Sequence, residues 1–198
     1  MVTSLPNLLT LSRIVVIPLV VATFYVDGPA ARWVACALFV AAAITDWFDG
    51  HLARQRNQVS ALGRFLDPIA DKLLVGAVLF MLAAFDRVSP LSILPALVIL
   101  LREILVSGLR EFLAEVRVGM PVTRLAKWKT GLQMTALPVL LVGDAAPRLL
   151  QDILPVRLTG EICLWVAALL TLVTGWDYLR AGIDHLRGPS GPAPDKAP

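Results

Sequence analysis

The fold is decided by residues 46–71, which read DWFDGHLARQRNQVSALGRFLDPIAD. This stretch holds four aspartates, and long apolar blocks flank it on both sides; the aspartates are Asp46, Asp49, Asp67 and Asp71. Ionised groups inside a membrane span are costly, so they usually face a cavity or pair with another polar group. We therefore expect membrane-crossing helices that enclose a polar site.

The composition excludes an ordinary soluble domain. Hydrophobic residues make up 57% of the 198-residue chain, and only 17% of the residues are charged. The mean hydropathy is +0.74, and soluble domains contain only about 45–50% apolar residues. The net charge of +3 is too small to suggest a nucleic-acid partner.

Six apolar blocks are long enough to span a bilayer, which takes about 20 residues per helix. Turn-forming Gly and Pro residues separate them. The blocks cover residues 6–26, 31–54, 63–85, 90–114, 123–143 and 158–182. The pattern predicts an all-α, polytopic membrane protein with six transmembrane helices.

The chain ends differ in character from these blocks. The first block is interrupted by Arg13 and no cleavage site follows it, so we interpret it as a retained span. Residues 188–198 are rich in Pro and Gly and predict a disordered tail. Residues 1–187 are therefore expected to form one transmembrane domain.

Lys and Arg predict the orientation. Most of them lie at one set of helix ends, whereas the opposite set carries Arg32, Arg87, Arg148 and Arg157. The positive-inside rule then places both termini in the cytoplasm. Apart from Arg32, the charged residues of the second to fifth blocks lie in the cytoplasmic halves, which predicts a polar cavity open to the cytoplasm.

The spacing of the aspartates indicates a metal site. Asp46 and Asp49 are three residues apart, and Asp67 and Asp71 are four apart, so each pair shares a helix face. Converging carboxylates repel one another unless a cation neutralises them. Hard Mg²⁺ or Mn²⁺ ions prefer carboxylate oxygens, and four acids are enough for two ions.

Other classes of function remain open for buried acids. They can serve as a proton relay or in a cation transporter, and Arg102 with Glu103 can form a structural pair that holds the cavity open. Four aspartates with nearby glycines and an arginine favour the metal site. No inverted repeat with broken helices is evident, which disfavours a transporter.

A family resemblance follows from the same stretch. The pattern Asp-x-x-Asp-Gly-x-x-Ala-Arg, eight residues, then Gly-x-x-x-Asp-x-x-x-Asp resembles, position by position, the signature of the CDP-alcohol phosphatidyltransferase family. The resemblance extends beyond the motif to members that use glycerol 3-phosphate. It involves the segments that start at Pro6, Thr45, Leu66, Arg102 and Lys127.

The resemblance implies a homodimeric membrane enzyme that transfers a phosphatidyl group. CDP-diacylglycerol would bind with its diphosphate on two Mg²⁺ or Mn²⁺ ions, an alcohol would attack, and CMP would leave. The four aspartates match the metal ligands, and Asp71 also matches the general base. The positions expected to contact CDP-diacylglycerol, besides Asp46 and Asp49, are Asn7, Thr10, Gly50, Ala53, Arg54, Ser60 and Gly63.

The acceptor implied by the resemblance is sn-glycerol 3-phosphate, whose phosphate needs basic residues outside the metal site. The candidates are Arg110, Arg124, Lys127 and Lys129. Inositol phosphate, phosphatidylglycerol or a small amino alcohol are alternative acceptors with the same chemistry. The expected location is a bacterial cytoplasmic (inner) membrane with the active site facing the cytoplasm.

Overall fold

A computed structural model describes the backbone of residues 5–56, 61–115 and 123–186. Side chains are described from residue 10 onward, except at residues 47–65, 67, 115–122, 181 and 184–198. Every regular element in these ranges is helical. The long helices are α1 (Leu5–Thr23), α2 (Pro29–Arg56), α3 (Ala61–Ala84), α4 (Ile93–Glu115), α5 (Arg124–Val142) and α7 (Val156–Leu186), and a short helix, α6 (Arg148–Ile153), precedes the last.

The all-helical prediction is confirmed for the described residues, and each long helix overlaps one predicted apolar block. Within the part of the chain that the structure describes, three stretches are long and apolar enough to be candidate membrane spans: Pro29–Asp46, Pro90–Ala114 and Val156–Arg180. α3 carries Asp71 and Lys72, and the start of α5 carries Arg124, Lys127 and Lys129. The count of six spans and the cavity open to the cytoplasm stay predictions.

The six long helices form a ring. α1 packs against α2 and α3, and α3 packs against α4. α7 packs against both α4 and α5, and α5 closes the ring against α2. The centre is filled by fully buried apolar side chains, among them Phe39, Val78, Ile99, Leu137 and Leu164.

The outer surface of the ring is apolar as well. Phe80, Leu169 and Trp176 expose half or more of their surface. Exposed apolar surface of this extent indicates a membrane or a protein partner. The chain is therefore a helical membrane protein with an apolar core and an apolar outer surface.

One end of the ring is held by specific polar and aromatic contacts. Glu161 at the start of α7 accepts hydrogen bonds from the Ser89 amide (2.8 Å) and from the hydroxyls of Ser89 (2.7 Å) and Ser92 (2.8 Å). The Phe24 and Phe85 rings lie 5.6 Å apart. These contacts join the ends of α1 and α3 and the starts of α4 and α7. We call this the distal end.

Short connections make successive helices antiparallel. The aspartate-bearing end of α2 and start of α3 therefore point away from the distal end. Thr123 caps the start of α5 at the aspartate side by accepting a hydrogen bond from the Ala126 amide (3.2 Å). The two ends of the bundle are thus chemically different.

Candidate active site

A buried arginine from α1 reaches the first aspartate. Arg13 is only 2% exposed, and its guanidinium forms a salt bridge with Asp46 on α2, which is about half exposed. Thr10, one helical turn before Arg13, is also buried. The N-terminal helix α1 therefore contributes buried side chains to the candidate site.

The fourth aspartate belongs to the same electrostatic group. Asp71 on α3 interacts with the like charges of Asp46 and Glu103 and with the opposite charges of Arg13 and Lys129. Side chains from five helices thus converge on one interior region: α1, α2, α3, α4 and α5. The predicted convergence of α2 and α3 carboxylates holds for Asp46 and Asp71.

The donor chemistry fits a hard divalent cation. Asp46 and Asp71 supply carboxylate oxygens, and their mutual repulsion favours a bound cation. Within the described side chains, no three His, Cys, Asp or Glu groups form a metal cage. Asp49 and Asp67 lie on α2 and α3, but their side chains are outside that set.

A basic cavity adjoins the aspartates between α4, α5 and α7. Its volume is about 770 Å³, and Arg110, Lys127 and Lys129 are among its lining residues. Arg102, Glu103 and Tyr178 also line it. Cations outnumber the acid here, so the cavity suits an anionic ligand.

Glu103 links the walls of this cavity. It forms salt bridges with Lys129 on α5 and with its neighbour Arg102, the latter at 3.2 Å. Arg102 also donates a hydrogen bond from Nη2 to the Thr174 hydroxyl on α7 (3.0 Å). The structural pair expected for Arg102 and Glu103 is present, and it extends into a network across three helices.

Lys129 and Lys127 differ in their freedom to bind a ligand. Lys129 is 4% exposed, and its ammonium is engaged by Glu103. Lys127 and Arg110 are exposed at the cavity. Arg124, the first residue of α5, is exposed as well but is not among the residues that line the cavity.

Tyr178 is a site residue that the sequence patterns missed. The guanidinium carbons of Arg102 and Arg110 lie 5.4 Å and 5.8 Å from its ring centroid. An aromatic face at this distance attracts a cation and restricts its orientation. The only signal in the sequence was an aromatic residue near the end of the last apolar block.

Several predicted donor-binding positions lie outside the described side chains. Their backbones place them on α1, at the end of α2 and at the start of α3; they are Asn7, Gly50, Ala53, Arg54 and Gly63. Ser60 lies outside the described backbone. Their predicted roles stay predictions.

The fold and the site together define a class: a helical membrane protein with carboxylates and a basic cavity inside the bundle. A family model described as CDP-alcohol phosphatidyltransferase matches residues 3–173. The chain belongs to the CDP-alcohol phosphatidyltransferase family. The family resemblance seen in the sequence motif is thereby confirmed.

Curated relatives cover almost the full chain. It is 52% identical over 178 residues to the CDP-diacylglycerol–glycerol-3-phosphate 3-phosphatidyltransferase of Rickettsia bellii, covering 90% of this chain and 94% of the relative. A protein of the same name from Cereibacter sphaeroides is 39% identical, covering 93% and 97%. A rice protein named cardiolipin synthase (CMP-forming) is also 39% identical, covering 89% of this chain and 56% of the relative.

Proposed function

We propose that the chain transfers the phosphatidyl group from CDP-diacylglycerol to sn-glycerol 3-phosphate, giving phosphatidylglycerophosphate and CMP. One observation carries this proposal. Lys129 and Glu103 line the basic cavity and also interact electrostatically with Asp71. A carboxylate suited to accept a proton therefore lies beside a cavity suited to hold an anionic acceptor, and relatives named for this reaction match over most of the chain.

The acceptor phosphate belongs in the cavity between α4, α5 and α7. Arg110 and Lys127 are the exposed cations there and are free to contact it. Lys129, held by Glu103, contributes positive charge and shapes the wall. Tyr178 orients Arg110, and Arg102 supports Glu103. Arg124, which is exposed but does not line the cavity, attracts the anionic acceptor electrostatically from a distance.

The reaction needs one proton acceptor and one leaving group. The acceptor's hydroxyl oxygen forms a bond to the phosphorus that bears diacylglycerol, and the bond from that phosphorus to the bridging oxygen of CMP breaks. Asp71 takes the hydroxyl proton, and CMP leaves with the bridging oxygen. No oxidant or further co-reactant is required.

The donor's diphosphate belongs beside the aspartates. Two Mg²⁺ or Mn²⁺ ions held by Asp46, Asp49, Asp67 and Asp71 would neutralise the diphosphate and stabilise the negative charge that develops on it. Arg54 would offer a guanidinium to the same phosphates. Asn7, Thr10, Gly50, Ala53, Ser60 and Gly63 would surround the nucleotide.

We further propose a bacterial cytoplasmic membrane location, with the aspartate end facing the cytoplasm, and a homodimer. The distribution of Lys and Arg supports the orientation, and the family resemblance supports the dimer. Chemical crosslinking of the protein in native membranes tests the dimer directly, because a crosslinked species of twice the chain mass is expected.

The central experiment measures CMP release by the purified full chain in detergent. CDP-diacylglycerol is supplied with glycerol 3-phosphate, inositol phosphate, phosphatidylglycerol or an amino alcohol. We expect CMP release with glycerol 3-phosphate that stops on chelation with EDTA and returns with Mg²⁺ or Mn²⁺. CMP release with only one of the other acceptors would change the substrate assignment. The absence of metal-dependent CMP release with every acceptor would contradict the proposed enzyme activity.

A further inference from the structure

A second polar cavity lies at the distal end, far from the aspartates. Its volume is about 490 Å³, and its lining residues come from three segments, which begin at Phe24, Phe85 and Asp144. Along α3 alone, Asp71 and Ala84 are separated by about 20 Å at 1.5 Å per residue. A ligand in this cavity therefore cannot take part in the reaction proposed above.

Arg87 is the buried cation of this cavity. It is 8% exposed, and its guanidinium carbon lies 4.0 Å from the centroid of the Phe24 ring. Its Nη1 atom has no hydrogen-bond partner, and Arg87 forms no ion pair with any residue that the structure describes. A buried cation without an anionic partner is costly, so an anion in the cavity would stabilise the fold.

Arg32 adds a second cation on the same cavity. Its side chain is 25% exposed, and its Nη1 atom lies 3.7 Å from Asp144, two residues beyond the end of α5. The pKa of the Arg87 guanidinium is lowered by burial and by the positive charge of Arg32. The two arginines repel each other across the cavity, and both would gain from an anion between them.

Two acids also line the cavity, but their exposure to solvent weakens their electrostatic interaction with the arginines. Asp27 is exposed, and the side chain of Asp144 is 61% exposed. Water and salt screen charges at such positions, whereas the buried Arg87 is screened much less. The base of the cavity is therefore cationic and its rim is acidic.

We propose that this distal cavity binds a phosphate group, with Arg87 as the principal ligand and Arg32 as the second. A guanidinium presents paired donors that match two phosphate oxygens. Phospholipid headgroups lie at the level of a helix end in a bilayer, so the phosphate is supplied by a headgroup of that leaflet or by free phosphate. The acidic rim favours a headgroup that carries an ammonium, such as ethanolamine.

The test is native mass spectrometry of the detergent-purified full chain without CDP-diacylglycerol. One arm titrates inorganic phosphate, a second titrates phosphatidylethanolamine, and a third titrates diacylglycerol, which lacks phosphate. Arg87→Gln is compared with Arg148→Gln, a matched change at an exposed arginine of the same end. We expect Arg87→Gln to weaken phosphate-group binding about tenfold, as expected for loss of a charge-assisted hydrogen bond, and Arg148→Gln to leave it unchanged.

The arms separate the source of the phosphate and can overturn the proposal. Binding that Arg87→Gln weakens identifies a headgroup site if it occurs only in the phosphatidylethanolamine arm, and a free-phosphate site if it occurs with inorganic phosphate. Equal binding by Arg87→Gln and Arg148→Gln, or equal binding of diacylglycerol, would overturn it. If Arg87→Gln does not fold, Arg87→Lys and Arg32→Gln provide the test. The proposal requires each of them to weaken phosphate-group binding by at least about threefold.

Discussion

We expect Asp71 to accept a proton from a bound hydroxyl, as proposed above. It lies on α3 among the charges of Asp46, Arg13, Glu103 and Lys129, which come from four other helices. Burial and the two acids oppose its ionised form, and the two cations favour it. The residue therefore depends on the assembled bundle for its chemistry.

Asp71→Asn removes the proton acceptor while keeping the side chain's shape. We expect CMP release to fall by about 10²-fold or more, the usual contribution of general base catalysis, with little change in thermal stability. Asp177→Asn, at an exposed acid on α7, is the control and keeps full activity. Activity of Asp71→Asn within twofold of the unaltered chain would exclude the base role.

Lys127 is expected to bind the acceptor's phosphate. Lys127→Glu replaces attraction with repulsion, so the KM for glycerol 3-phosphate should rise tenfold or more, while the KM for CDP-diacylglycerol stays within about twofold. Arg124→Glu provides the comparison, because Arg124 is exposed but does not line the cavity. Equal effects of the two changes would show that Lys127 acts only through general charge.

The sequence predicts which ionisable residues lie at the candidate site better than it predicts the side chains that they contact. The aspartate spacing and the excess of cations are local signals. The structure brings Asp46 near Asp71 and places Arg110 and Lys127 at the basic cavity, where their roles stay predictions. Lys129 contacts Glu103, 26 residues away in the sequence, and Arg102 contacts Thr174, 72 residues away. No spacing rule connects such positions, so the engagement of Lys129 is visible only in the fold.

At the scale of elements, α7 owes its close packing to glycine. A Cβ atom at Gly160 would lie 2.7 Å from Leu140 Cγ on α5, and one at Gly175 would lie 3.0 Å from Arg102 Cγ on α4. Small residues let membrane helices approach closely. The second glycine also gives Arg102 the room to lie beside α7 and reach Thr174.

Gly160→Ala should destabilise the bundle by overpacking, which costs about 1–3 kcal/mol in a well-packed core. The measurement is the midpoint of thermal unfolding in detergent, which is expected to fall by several degrees. Gly108→Ala is the matched control, because a Cβ atom there would meet nothing within 4 Å. An unchanged midpoint for Gly160→Ala would mean that α5 and α7 separate without cost.

The helices themselves were predicted well because their signals are local. Apolar runs and intervening Gly and Pro residues marked all six long helices. The short helix α6 was missed, since six residues carry too little periodicity, although Pro147 precedes it and Pro155 follows it. Its Leu149 and Ile153 are about three-quarters exposed, which suits a helix that lies at the membrane surface.

For the whole molecule, the orientation can be tested by cysteine labelling in intact cells. In a chain with Cys36 and Cys163 changed to alanine, Arg148→Cys should react with a membrane-impermeant maleimide in intact cells. Arg124→Cys should react only after lysis, because the predicted orientation places that end of α5 in the cytoplasm. The reverse pattern would invert the proposed topology.

The ring order also sets a sequence of assembly during synthesis. α1, α2 and α3 leave the ribosome first, whereas the ring is complete only when α7 packs against both α4 and α5. Until α7 arrives, the faces of α4 and α5 that carry Glu103 and Lys129 lack the wall that Thr174 and Tyr178 provide. A nascent chain that stops before Val156 would display ionised groups to lipid. The last helix is therefore the element that completes the enclosure of these ionised groups.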